Sequence, residues 1–376
     1  MAHHTLTGTY TEEQDELRKV VRSFLSKHST EADVRDLMAT TRGYDPAQWR
    51  RMGAELGLQG LGVPEEYGGA GCGYVELGIV FEETGRALLC APYLATVALA
   101  AEALLRSGDE AARKDLLPGI AAGETVATLA FTEDGGSWDE RGVAASARRT
   151  ATGWAVTGAK NYVPDGHTAD LLLVAARTDA GLSLFAVEAG APGLVRTPLE
   201  TLDQTRKQAR LDLDAVPARL IGAEGAAWPV IERSLAAAAV LLSAEQLGGA
   251  SRAMELAVEY AKIRVQYGRA IGSFQGIKHL CADMLVEVES ARSAVCDALW
   301  ALEADAPDLP VAAALALAYC SDTYTRVAGD CVQVHGGIGF TWEHPAHLYL
   351  KRAKSSEVLL GTAASHRERL AVRLGL

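Results

Sequence analysis

The chain has 376 residues, 49 % hydrophobic but only 6 % aromatic, with a formal net charge of −12. That length allows two or three domains with a large buried core, and the composition, rich in alanine and leucine, favours helix over sheet. The acidic balance supplies no basic field for nucleic acid or an anionic membrane surface.

The first third reads as helical. Thr11-Glu-Glu-Gln14 is a capping-box pattern, followed by Leu17, Val20, Val21, Phe24 and Leu25 at helical spacing. Asp45-Pro46 starts a further helix carrying Trp49, Met52 and Leu56. A glycine-rich stretch over 57–69 then breaks the regularity, and helical periodicity resumes over 74–86 and 92–107. Near residue 126 the character changes. The segments 126–131, 154–157, 171–176, 182–187 and 209–213 are short apolar or alternating runs separated by Gly, Asp, Thr and Pro, which predicts antiparallel strands. From 226 onward four long helices are expected, over 227–262, 274–305, 309–334 and 346–376, forming an antiparallel bundle. The expected domains are a helical one at 1–125, a β domain at 126–222 and a helical bundle at 223–376.

Six scattered cysteines contain no CxxC pair, so reduced thiols are expected rather than a disulfide framework or a zinc site. No apolar leader core is present, and no run approaches the roughly 18 apolar residues of a membrane span. A soluble, cytoplasmic protein is the expectation. His3 and His4 carry no ligand pattern. His335, His344 and His347 lack clustered acids, so no metal site is expected.

Two segments carry the chemistry. Gln333-Val-His-Gly-Gly-Ile-Gly339 places three glycines inside a helical sequence, where each costs about 1 kcal/mol. Bare backbone of this kind can lie against a pyrophosphate. Arg264-Val-Gln-Tyr-Gly-Arg-Ala-Ile-Gly-Ser-Phe-Gln275 offers a guanidinium fork for phosphate oxygens and amides for polar ring edges.

These segments, with three others in the same order, resemble the acyl-CoA dehydrogenase family across nearly the whole chain. Leu61-Gly-Val-Pro-Glu-Glu-Tyr-Gly-Gly69 is similar to its N-terminal loop. Thr132-Glu-Asp-Gly-Gly-Ser137 is similar to its Thr-Glu-Pro-x-x-Gly-Ser loop. Gly158-Ala-Lys160 through Asp170 is similar to its Asn-Gly-x-Lys-x-Trp-Ile-Thr-Asn-Gly-x-x-Ala-Asp segment. The resemblance implies an α+β multidomain fold: a helical N-terminal domain, a β-barrel-like middle domain and a C-terminal four-helix bundle. It also implies FAD, an acyl-CoA substrate and an electron-transfer flavoprotein as electron acceptor.

By the same resemblance, Thr132 and Tyr162 face the flavin ring, and Ser137 lies near the flavin and the CoA arm. Arg264 and Gln275 reach the diphosphate and adenosine end of a flavin held mainly by another subunit. Gln333, Gly336 and Gly337 approach the ADP portion, and Thr362 belongs to a late loop touching flavin. Where the family has Trp-Ile-Thr, this chain has Tyr162-Val163-Pro164, which loses a hydroxyl and a backbone donor. The residues 236–239 replace a motif that contacts the CoA end of the substrate. Small residues there imply a pocket for a wide acyl group.

The implied reaction needs a base beside the acyl α-carbon. The usual Tyr-Glu-Gly-Thr tetrapeptide reads Leu359-Leu360-Gly361-Thr362, and the alternative family position falls at Ala238. Glu245 lies seven residues beyond Ala238 on the same helical face and is the expected base. A second reading of Glu245 is a carboxylate bonded to a buried arginine or a subunit contact.

Three functions follow. The first is α,β-dehydrogenation of an acyl-CoA to the trans-2-enoyl-CoA in a homo-oligomer. The second is a non-catalytic or half-site subunit in an α2β2 assembly with a related chain. The third is oxidation of a carrier-protein thioester.

Overall fold

A computed structural model of the chain describes residues 10–151 and 153–376; His3 and His4 lie outside the described residues. The N-terminal region is helical: α1 Glu12–His28, α2 Glu31–Met38, α3 Pro46–Leu56, α4 Tyr74–Arg86, a π-wound stretch Leu94–Ala101 running into α5 Glu102–Arg106, and α6 Glu110–Ala121. The capping box forms as its residues demand. The Gln14 N–H donates to the Thr11 hydroxyl at 3.2 Å, and the Thr11 N–H donates to the Gln14 side chain at 3.0 Å. Asp45 caps α3 by accepting from the Ala47 N–H at 2.8 Å.

The middle strands are β1 Ala127–Ala130, β2 Ser146–Thr150, β3 Gly153–Pro164, β4 Leu171–Thr178, β5 Gly181–Glu188, β6 Leu194–Pro198 and β7 Gln208–Ile221. Pairings run β4–β2–β3–β7–β5 and back to β4, so the sheet closes on itself as a barrel. The expectation of antiparallel pairing fails at two places, because both β1 and β2 meet β4 in parallel, β2 only at Ser146 opposite Arg177. The apolar run of β1 is buried on both faces, which suits a parallel strand.

The C-terminal region holds α7 Ala227–Ile263, a small hairpin of β8 Val265–Gln266 and β9 Arg269–Ala270, then α8 Gln275–Glu303, α9 Leu309–His335, α10 Ala346–Ser356 and α11 Ala363–Arg373. The long last helix expected over 346–376 is two helices. Leu360 at φ 65° and Gly361 at φ 109° lie in left-handed backbone, which no continuous helix admits. Among the described residues, α7 alone is long and apolar enough to cross a membrane, and 61 % of its apolar window is buried within the chain.

Close backbone crossing seats α7 on α4. A Cβ on Gly248 would lie 1.8 Å from the Glu82 carbonyl oxygen, and one on Gly85 would lie 1.9 Å from that of Glu245. Glycine at both positions therefore brings Glu245 to the seam between the N-terminal helices and the bundle.

Candidate active site

The sequence-expected residues fall into three separate places. The first is a slot of about 270 Å³ between the barrel and the loop joining α10 to α11, lined by Thr132, Trp138, Tyr162, Gln208 and Leu359 among others. Thr132 is buried there, and its hydroxyl donates to the Asn161 carbonyl at 2.6 Å. The loop that carries it is anchored by Lys160. Its ammonium is fully buried and donates to the Phe131 carbonyl at 3.1 Å and to Glu133 at 2.7 Å. Burial pulls the Lys160 pKa down to about 8 against the opposing effect of Glu133. Tyr162 takes φ 57° and is half exposed to the slot. Ser137 faces its own loop, accepting from the Asp139 N–H at 3.3 Å. Thr362 is exposed and caps α11 by accepting from the Ser365 N–H at 3.2 Å.

The second place is one end of the bundle. Tyr260 in the last turn of α7 stacks on His335 in the last turn of α9, with ring centroids 4.4 Å apart. That stack sets Arg264 and the Gly336-Gly337 turn at the same end of the molecule. Arg264, Gln275, Gln333, Gly336 and Gly337 are all exposed. A Cβ added to Gly336 or Gly337 would meet nothing within 4 Å, so bare main chain faces open space. None of these residues lines the slot around Thr132. Within a single chain the exposed bundle end and the slot therefore do not meet.

The third place is a narrow cavity of about 20 Å³ where all three domains join, bordered by Phe81 and Tyr93, Asp165 and Arg206, Glu245 and Arg352. Glu245 is only 4 % exposed. The Arg206 guanidinium donates to its Oε1, and Arg352 donates to the same oxygen at 2.8 Å. Arg352 also donates to Asp203 at 3.0 Å and to the Thr205 hydroxyl at 2.7 Å, while Arg206 donates to Ser356 at 3.2 Å. Burial works against both guanidinium charges. Asp203 and Glu245 together hold Arg352 above its usual range, whereas Arg206, with Glu245 as its one bonded carboxylate, ends below it.

Glu245 is thus a buried carboxylate whose Oε1 accepts from both Arg206 and Arg352. The other base positions are apolar and buried, Leu360 at 3 % and Ala238 at 0 % exposure. The residues 236–239 do not line this cavity.

Sequence reasoning missed Arg206, Arg352 and Asp165. The one signal available was Arg352 itself, an arginine between Tyr349 and Ala353 on the apolar side of α10. Among the described residues, no group of three or more His, Cys, Asp or Glu side chains could hold a metal. His335 instead has Nδ1 2.8 Å from the Cys331 carbonyl, and His344 accepts from the Ala346 N–H at 3.2 Å.

Comparison with known proteins bears on all three places. Residues 11–124, 128–216 and 225–375 match the N-terminal, middle and C-terminal domains of acyl-CoA dehydrogenases. Acyl-CoA dehydrogenase IpdE2 of Mycobacterium tuberculosis is 37 % identical over 352 residues, covering 94 % of each chain. Among solved structures, a chain of the Tcur3481-Tcur3483 steroid ACAD G363A variant superposes with a TM-score of 0.88 at 34 % identity, covering 97 % of this chain and 98 % of the other. A chain of the ChsE4-ChsE5 complex from Mycobacterium tuberculosis superposes with a TM-score of 0.89 at 31 % identity, covering 98 % and 99 %.

Proposed function

The chain belongs to the acyl-CoA dehydrogenase family and is an FAD-dependent oxidoreductase; on that premise we propose that it is the half-site subunit of a hetero-oligomeric acyl-CoA dehydrogenase. One observation carries this reading: the Glu245 carboxylate is held by both Arg206 and Arg352 while Leu360 and Ala238 are apolar. Both guanidiniums fix the same oxygen, Oε1, which commits this carboxylate to a contact between barrel and bundle rather than to an acyl α-carbon. The base then comes from a related partner chain.

The residues present fit a flavin dinucleotide divided between chains. Gly336 and Gly337 offer backbone with open space beside it, and Arg264 and Gln275 stand exposed at the same end. In the assembly Arg264 would pair with diphosphate oxygens, and the glycine turn would admit the ADP portion at close range. Gln333 and Gln275 would hydrogen-bond polar edges. Thr132, Tyr162 and Gln208 border the slot where a ring system would lie, with Ser137 and Thr362 on the flanking loops. Bound flavin supplies the acceptor for the β-hydrogen and its two electrons, and an electron-transfer flavoprotein takes them on. The chain's own part is to bind, to orient and to exclude water.

The substrate of the assembly is a wide acyl-CoA. Support comes from the steroid ACAD named among the similar structures. The cavity beside Glu245, about 20 Å³, is too small for such a group, which on this reading lies in the partner's pocket. A cytoplasmic setting goes with six free cysteines.

The test is the FAD content, mass and turnover of the purified chain, alone and co-expressed with its related chain. Flavin bleaching by an acyl-CoA is expected only for the co-expressed pair. Stoichiometric FAD and turnover in the lone chain would remove the half-site reading and restore a self-sufficient dehydrogenase.

A further inference from the structure

Asp165 follows the last residue of β3 at φ 51° and is 92 % buried, at 8 % exposure. Its carboxyl borders the narrow three-domain cavity. Among the described residues it forms no ion pair, and no donor reaches its side-chain oxygens. Its own N–H donates to the Lys207 carbonyl at 3.0 Å. Arg206 and Lys207 approach it from the segment before β7, Arg352 from α10 and Glu245 from α7. Asp203, Cys90 and Tyr44 complete the titratable groups around it. A buried acid without a partner beside a guanidinium already committed to another carboxylate is a frustrated arrangement.

We propose that Asp165 and Glu245 are rival carboxylates for Arg206, and that loss of the Asp165 proton draws the Arg206 guanidinium off Glu245 and slackens the seam beneath the slot. The seam carries two slot residues. Tyr162 precedes Asp165 by three positions on β3, and Gln208 follows Arg206 by two and pairs with Pro164. A shift of Arg206 therefore reaches the slot from both strands. Burial raises the Asp165 pKa to about 7 against Arg206, Arg352 and Lys207, which agrees with an unbonded, neutral carboxyl. Because the folded-state pKa lies above the unfolded value, the unfolded chain ionises first. The folded state then loses stability as pH rises from the ordinary aspartate range to about 7, and stays lower above it.

The link to flavin rests on the reading of the slot given above, whereas the lock itself does not. Thermal unfolding of the full chain is measured from about pH 5 to about pH 9, unaltered and as Asp165→Asn. The unaltered chain should melt several degrees below the variant at the alkaline end, with the gap closing toward acid pH. Parallel curves would overturn the proposal. If Asp165→Asn does not fold, Asp165→Ser serves the same comparison. Independently, infrared spectra of the unaltered chain carrying 13C-labelled aspartate should show a protonated carboxyl band that vanishes through neutral pH. Absence of that band at about pH 6 would also overturn the proposal. With the partner chain present, the release rate of FAD should rise several-fold with pH in the unaltered protein and not in Asp165→Asn. A pair that never takes up FAD sinks the reading of function while leaving the melting comparison intact.

Discussion

Glu245 in the middle of α7 is bonded by Arg206, 39 residues earlier in the chain and in another domain. Arg352 of α10 closes on the same carboxylate oxygen. The contact ties barrel to bundle at one buried oxygen.

Removing that carboxylate should be costly. Glu245→Gln leaves two buried guanidiniums without their shared counter-charge, and breaking a buried pair in this way costs about 3–5 kcal/mol. Urea unfolding of the variant should show a loss of that order. A loss below about 1 kcal/mol would mean that the cluster contributes little and that Glu245 is free for another role.

Restoring the usual acid should not restore the chemistry. Leu360→Glu puts a carboxylate next to Leu359 of the slot, but leaves Glu245 held by Arg206 and Arg352. The lone variant chain is expected to show no flavin reduction by acyl-CoA in stopped-flow absorbance. Bleaching would locate a usable acyl pocket that the ion cluster does not block.

The exposed end of the bundle makes a different prediction. Among the described residues, Arg264 is exposed and forms no ion pair. Arg264→Ala should therefore leave the melting temperature of the lone chain unchanged within about 1 °C. It should weaken FAD retention by the co-expressed pair at least about tenfold, as loss of a charge-assisted bond to a diphosphate requires. Unchanged FAD content by absorbance would take this arginine out of the site.

Gly337 separates space from backbone strain. It has open surroundings, and its φ lies outside the left-handed range that only glycine tolerates well. Gly337→Val should fold normally, yet its side chain would fill the place of a close-packed ligand. Loss of FAD from the pair with unchanged circular dichroism is the expected result. Full FAD occupancy would show that the turn does not approach the dinucleotide.

Local signals were strong enough to place most elements. Thr11 with Gln14, and Asp45 before Pro46, announce helix starts because their side chains can satisfy only nearby N–H groups. The long Ala- and Leu-rich segments of α7, α8 and α9 appear within a residue or two of expectation, since a sustained helical period leaves few alternatives. The strands β2 and β6 were not foreseen. Ser-Ala-Arg-Arg-Thr at 146–150 and Leu-Val-Arg-Thr-Pro at 194–198 are polar edge-type sequences that become strands only because β3 and β7 offer partners.

What the sequence determined by itself was the family, together with the residue types at its motif positions: the bare glycines at 336 and 337, Arg264, Gln275, and the apolar Ala238 and Leu360. These are statements about residue type at a local spacing. Tertiary structure alone decided the contacts of Glu245, because its partners Arg206 and Arg352 lie 39 and 107 residues away, and no local pattern records that barrel and bundle bring their charges to one point. Burial makes that meeting decisive: with water excluded, a carboxylate must find a cation, and the fold chose which one.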